Sequence, residues 1–457
     1  MTTHHPPSTA NANDAVPSLA PQVRGSAEPL LCDIFCQVID NYGDIGVCWR
    51  LAADLAQRGH SVRLWLDDKR ALEWMAPGAA QGDWPGISVH DWPVTNPADS
   101  SPALPLADVW IEAFGCNIPS VWLQSQVQAA NTLAQRPAWI NLEYLSAEPF
   151  ALRSHGLPSP VLQGPARGWA KYFFYPGFSP ASGGLLRGAI AQAGTASWAE
   201  PALAAFAPAA SGERTVLLFA YANAPIAALL QALHRSAQAV QLLVTAGQSA
   251  DAVRFALAAL PSTVGASEVA SPGRVNRSTF ISGDIPRAAT QSTTAALEEC
   301  HWGPLRLRFL PFLPQSTFDQ LLGLCDLNLV RGEDSLAQAV QAGKPCVWQI
   351  YPQDDGAHGP KLLAYLEALA ADAPLRAWHS FWNGTPADNQ AAPELTWPWE
   401  PDSTWPQNAH ALATRLAQNK DLSSQLIEWA LQRGTKTPTG QALNPRPPEV
   451  CGAPRPA

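Results

Sequence analysis

Two short stretches of this chain hold residues able to do chemistry. The first is "DNYGDIGVCWRLAADLAQRG", Asp40 to Gly59, which follows the apolar run "LLCDIFCQVI". It gathers Asp40, Gly43, Asp44 and Gly46 into one turn between an expected strand and an expected amphipathic helix. A pair of carboxylates there can hold a cationic group by charge-assisted hydrogen bonds, one of them removing a proton as general base. Asp40 and Asp44 can equally be a turn residue and a helix cap. Gly43, Asp44, Ile45, Gly46 and Val47 do not make the three-glycine turn of a dinucleotide site. The glycines instead suit a tight turn that a substrate approaches closely.

The second stretch is "LNLVRGEDSLAQAVQAGKP". A strand ends at Val330, the turn is Arg331, Gly332, Glu333, Asp334 and Ser335, and the helix stops at Gly343 and Pro345. A helix start presents unpaired N–H groups and the positive end of the dipole, a setting for phosphate. Arg331 and Ser335 add side-chain donors for a diphosphate, and Glu333 suits a ribose hydroxyl or a sugar contact. Asp334 or Ser335 can instead simply cap the helix. Phe312, Gln315 and Phe318 in "PFLPQSTFDQLLGLCD", Phe219 and Tyr221 with Asn223 in "LLFAYAN", and Tyr351 with Gln353 in "WQIYPQ" all follow expected strands. Ligands of open α/β sheets bind beyond strand C-termini. An aromatic there can stack on a base and an amide can read its edge, although core packing is the commoner fate of a Phe.

The elements that must position these residues alternate along the chain. "LLCDIFCQVI", "SVRLWLDD", "ADVWIEAFG" and "PAWINLEYLS" read as buried strands, with "GVCWRLAADLAQRG" and "PSVWLQSQVQAANTLAQ" as helices between them. "FFYPGFSPASGGLL" marks a domain boundary, after which "TVLLFAY", "VQLLVTAG", "LRLRFLPFL", "CDLNLVRG" and "PCVWQIYP" continue the pattern. Strands alternating with helices imply parallel sheets covered on both faces. The expected layout is a disordered tail over 1–28, a Rossmann-like domain over 29–184 and a second over 185–400. A loop insertion falls at 265–303, a helical segment at 405–433 and a disordered tail at 434–457. Two such domains facing across a cleft give the GT-B glycosyltransferase architecture, α/β in class. Periplasmic-type binding proteins, some epimerases and glycogen-phosphorylase-like enzymes share the plan, so the fold alone does not fix a function.

Composition narrows the choice. A formal net charge of -9 over 457 residues argues against a nonspecific nucleic-acid binder. The eight cysteines have no zinc-knuckle spacing and read as reduced thiols of a cytoplasmic protein, most of them buried. The N-terminus lacks the basic start and apolar core of a signal peptide. No run reaches the roughly 18 apolar residues of a membrane span.

Six segments together, "FCQVIDNYGDIGVCWRLAADLA", "INLEYLSAE", "HGLPSP", "PGFSPASGGLL", "PFLPQSTFDQLL" and "LNLVRGEDSLAQAVQAGKPCVWQIYPQ", resemble the EarP family, bacterial protein-arginine rhamnosyltransferases that modify translation elongation factor P. The match runs in order through residues 31–365. The resemblance implies a metal-independent GT-B enzyme without a cofactor. It would transfer L-rhamnose from dTDP-β-L-rhamnose to one arginine of the N-terminal domain of elongation factor P, with inversion. That modification would activate the factor for rescue of ribosomes stalled at polyproline. The family's essential acids fall on Asp40, Asp44 and Glu333. Its dTDP-binding positions fall on Phe219, Tyr221, Phe312, Gln315, Phe318, Arg331, Asp334, Ser335 and Tyr351, with Gly43 beside them. A GT-B transferase or sugar-nucleotide epimerase with another acceptor stays open, as does a non-catalytic dTDP-sugar-binding protein.

Overall fold

The computed structural model describes residues 28–39, 42–93, 104–133, 136–188, 196–259, 297–353, 356–384 and 395–433. Asp40, residues 1–27 and 434–457 of the expected tails, and residues 265–296 of the expected insertion lie outside them.

The first sheet is built from β1 (Leu31–Cys36), β2 (Ser61–Leu66), β3 (Ile87–Asp91), β4 (Val109–Ala113), β5 (Ala138–Leu142), β6 (Pro158–Pro160) and β7 (Ala170–Phe174). Its order is β3-β2-β1-β4-β5-β7-β6, parallel except for β6 against β7. The second sheet is built from β8 (Arg214–Leu218), β9 (Val240–Val244), β10 (Glu298–Trp302), β11 (Leu305–Phe309), β12 (Leu327–Arg331) and β13 (Cys346–Gln349). Its order is β10-β11-β9-β8-β12-β13, with β10 antiparallel to β11 and the rest parallel. Each sheet winds outwards from its own first strand and then reverses. The reversal falls between β1 and β4 in one lobe and between β8 and β12 in the other. Chains leaving adjacent strands at such a point diverge to opposite faces and leave a crevice.

The helices of the first lobe are α1 (Gly43–Gln57), α2 (Leu72–Met75), α3 (Ser120–Thr132) and α4 (Pro149–Ser154). The later helices are α5 (Pro201–Ala204), α6 (Ile226–His234), α7 (Gln248–Ala259), α8 (Gln315–Leu324), α9 (Glu333–Gln341), α10 (His358–Ala368), α11 (Ala373–Asn383), α12 (Trp405–Ala417) and α13 (Leu422–Arg433). Alternation along β1 shows why the central strands are apolar throughout. Ile34 packs with α1 on one face, and its neighbour Phe35 packs with Trp65 and Trp122 on the other. The seven described cysteines are free thiols, six of them buried.

Three expectations need correction. α1 starts at Gly43 rather than Gly46, which places Asp44 inside the first helical turn. The 265–303 stretch is not all loop: Glu298–Trp302 form an edge strand that Gly303, at φ +58°, turns into β11. Its polar sequence hid it, because an edge strand buries little. The helical segment at 405–433 is two helices, broken where the Asp421 carboxylate accepts the Ser424 N–H (2.9 Å) and starts a second helix. β3, β6 and β7 also escaped the sequence reading. β6 is a Pro-Ser-Pro edge without apolar alternation, and β3 has a single buried residue, Ile87.

The two final helices belong to different lobes. α12 buries Trp405 and Leu416 in the second, whereas α13 seats Leu422, Leu426 and Ala430 in the first, beside α1. The chain therefore crosses between lobes twice. The crossings touch: Leu422 N–H donates to Leu185 O (3.0 Å), and Arg187 donates to Ala417 O (3.0 Å) and Asn419 O (3.1 Å).

The lobes are also joined by a buried ion cluster. Arg50 of α1 grips Asp319 of α8 (2.5 and 3.0 Å) and Asp334 of α9 (2.7 and 2.9 Å), each through two nitrogens. Burial disfavours the Arg50 charge, but the two carboxylates outweigh it and hold the guanidinium protonated. Gly188 lies against this cluster. A Cβ there would overlap Gln338 Oε1 and come within 2.9 Å of Arg50 Nη1 and Asp319 Oδ2. Gly188→Ala is expected to cost about 1–3 kcal/mol, the usual cost of overpacking. Urea denaturation checks this, and an unchanged midpoint would show that the cluster yields freely.

Candidate active site

The reversal points of the two sheets face each other. On the first lobe the chain leaves β1 and enters α1 at Gly43. Tyr42 occupies the cap position without a side-chain cap, and Asp44 is not the N-cap residue considered from sequence. Its carboxylate, 2% exposed, instead accepts the Ile39 N–H on Oδ2 (2.9 Å) and the Tyr144 hydroxyl on Oδ1 (3.3 Å). Burial and the charges of Asp44 and Glu333 push the Tyr144 phenol up, so it stays a donor.

On the second lobe β12 ends at Arg331 and α9 begins at Glu333. Gly332 between them has φ +68° and ψ 170°, a geometry reserved for glycine. No side chain caps α9, so neither Asp334 nor Ser335 serves in that way. Asp334 is turned to Arg50. Arg331, 5% exposed, donates to Gln248 (3.0 Å), and its guanidinium carbon lies 4.6 Å and 4.5 Å from the ring centres of Phe219 and Tyr221. It is a cation set among aromatic faces, further back than the turn position expected for it.

Two adjoining cavities open between the lobes. The first is lined by Phe219, Phe312, Gln315, Phe318, Arg331, Asp334 and Ser335 from the second lobe and by Tyr42, Trp74 and Met75 from the first. Trp74 lies 5.0 Å from Phe312 and 5.2 Å from Tyr42, ring centre to ring centre, so the three rings in contact form one aromatic wall of a slot. Gln315 braces it, donating to Gly46 O (2.9 Å) and Asp334 (3.1 Å). The second cavity holds Asp44, Glu333, Tyr144, Tyr351, Gln353 and Lys361. Gly43, Tyr221 and Gly332 line both.

Glu333 spans the lobes. Its Oε2 accepts the Leu145 N–H (2.6 Å) and its Oε1 accepts the Lys361 ammonium. Burial raises its pKa most strongly; Lys361 and the Leu145 N–H pull it down, and the Asp44 charge adds a smaller rise. Tyr351, 55% exposed, meets Tyr221 edge to face at 5.4 Å. The Tyr221 N–H donates to Gln349 (2.7 Å), whose amide donates to Asn223 (3.0 Å).

Every described residue singled out above thus lines one of the two cavities, apart from Asn223, which accepts a hydrogen bond from Gln349. The sequence reading missed Tyr42, Trp74, Arg50, Tyr144 and Lys361. Tyr42 lies in the very turn that held the acids and was open to discovery by the strand-end rule. Trp74 sits on a four-residue helix with no periodicity to mark it. Among the described residues no group of three or more His, Cys, Asp or Glu is placed to hold a metal ion.

Two doubly wound sheets with opposed reversal points, and a cleft of carboxylates and aromatics between them, are the architecture of a GT-B glycosyltransferase. The family model for Elongation-Factor P (EF-P) rhamnosyltransferase EarP matches residues 32–431. A protein-arginine rhamnosyltransferase of Pseudomonas putida is 37% identical over 417 residues, covering 87% of this chain and 97% of that one. One from Neisseria meningitidis is 36% identical over 351 residues, covering 74% and 78%. A solved structure addressing EarP-mediated arginine glycosylation of translation elongation factor EF-P superposes with a TM-score of 0.51. It is 26% identical and covers 88% of this chain and 99% of that chain. This chain belongs to the EarP family.

Proposed function

We propose that this protein transfers L-rhamnose from dTDP-β-L-rhamnose to a guanidino nitrogen of one arginine of elongation factor P, with inversion and without a metal ion. The observation that carries the reading is the meeting of Asp44 and Glu333, from helix starts on opposite lobes, in a cavity that adjoins an aromatic slot. The slot suits the thymine and ribose, the start of α9 suits the diphosphate, and the acidic cavity suits a cationic acceptor.

A guanidinium is a poor nucleophile because its charge is delocalised and its pKa exceeds about 12. Asp44 accepts a proton from the attacking nitrogen as the N–C1 bond forms, so full deprotonation beforehand is avoided. The C1–O bond to the diphosphate breaks on the opposite face, which inverts the anomeric centre. The electron pair leaves with dTDP, whose growing charge is met by the N–H groups at the start of α9 and by Ser335. Asp40 orients the guanidino group, and Glu333 positions the donor sugar. Lobe closure keeps water from the donor.

The test is the intact mass of elongation factor P after incubation with this protein, dTDP-β-L-rhamnose and a chelator. A gain of one deoxyhexose on a single arginine, α-linked by NMR, supports the reading; an unmodified factor or a β-linked product overturns it. The slot makes its own prediction. Phe312→Ala is expected to weaken dTDP binding by about 1–3 kcal/mol, the value of one base-stacking aromatic. Calorimetric titration with dTDP checks it, and an unchanged affinity would place the base elsewhere.

A further inference from the structure

We infer that Lys361 is a positioning residue for the transfer: its ammonium fixes the Glu333 carboxylate against the Leu145 backbone and balances the second acidic charge beside Asp44. The inference rests on the reading of Glu333 as the group that positions the donor sugar.

The geometry differs from that of a surface ion pair. Lys361 and Glu333 are 20% and 19% exposed, and both line the cavity that holds Asp44. The other Glu333 oxygen is taken by the Leu145 N–H of the opposite lobe. The two contacts fix the carboxylate from two sides, one in each lobe. The Lys361 ammonium also stands 5.7 Å from the ring centre of Tyr144, the residue whose hydroxyl reaches Asp44. The charged and titratable groups facing Glu333 are thus Lys361 from α10, Asp44 from α1 and Tyr144 from the loop after β5. Asp334, next in α9, is committed to Arg50. Lys361 is the cation that lowers the pKa of Glu333 against burial and against Asp44. Without it the carboxyl takes up a proton at a higher pH, and an upright, ionised Glu333 is lost sooner as pH falls.

The experiment compares pH profiles of kcat and kcat/KM for wild type, Lys361→Met, Lys361→Arg and Glu333→Gln, with dTDP affinity measured alongside. Lys361→Met is expected to move the acid limb upwards by about one pH unit, an approximately tenfold loss on that limb. Recovery towards alkaline pH and partial rescue by Lys361→Arg, which keeps the charge, complete the expected pattern. A Lys361→Met profile with the wild-type acid limb overturns the inference. Weaker dTDP binding with an unmoved limb also overturns it, and assigns Lys361 to the diphosphate instead. Normal turnover by Glu333→Gln is a separate failure, because it removes the role of Glu333 itself.

Discussion

Asp44→Asn is expected to lower kcat by about 10²–10⁴-fold at saturating donor and acceptor, the range that a positioned general base contributes. The substitution keeps the shape of the side chain. An asparagine carbonyl still accepts the Ile39 N–H, so the start of α1 keeps its geometry. The aromatic slot is a separate cavity, so dTDP affinity should stay near wild type. What the amide lacks is a basic oxygen facing the acceptor. The check is a single-turnover assay of arginine modification with dTDP titrated in parallel. Near-normal turnover would remove Asp44 from the role of base. A fall in dTDP affinity that matched the fall in rate would make it a donor-binding residue.

Arg50→Met should have the largest effect on stability, about 3–5 kcal/mol, the cost of removing one partner from a buried ion cluster. It removes the guanidinium that grips both Asp319 and Asp334, 1% and 13% exposed. Two neighbouring buried carboxylates repel once the guanidinium is gone, and lowering the pH relieves that repulsion. The deficit of Arg50→Met relative to wild type should therefore shrink as pH falls. Replacing Asp319 as well, by leucine, should recover part of the loss, because an apolar substitute leaves less buried charge. Thermal melts at two pH values read both effects. A variant as stable as wild type would show that the ion cluster does not hold the lobes together.

Much of the site was legible because helix starts announce themselves. "NYGDIG" and "VRGEDS" each sit between a buried strand and an amphipathic helix, and the strand-end rule assigns both to a crevice. Arg50 was not legible. Its partners lie 269 and 284 positions away, and on α1 it reads as one polar residue of an amphipathic helix. Lys361 was hidden in the same way, on a helix whose approach to Glu333 is set by tertiary packing. The Glu333–Leu145 bond joins a side chain to the backbone of the other lobe, a contact without any composition signal. The edge strand β10 escaped because polar edge positions imitate loop composition. In each case the sequence shows what a residue can do, and long-range packing decides whom it meets.

The return of α13 to the first lobe has a consequence for biosynthesis. Leu422, Leu426 and Ala430 complete the core around α1 and β1, yet they are made only after the whole second lobe. N-terminal domains usually fold first, during translation. Here the lobe made first stays unsealed, with an apolar groove open, until the whole second lobe has been made. A chain truncated before Leu422 would be exposed to chaperones and proteases through the lobe farthest, in sequence, from the cut.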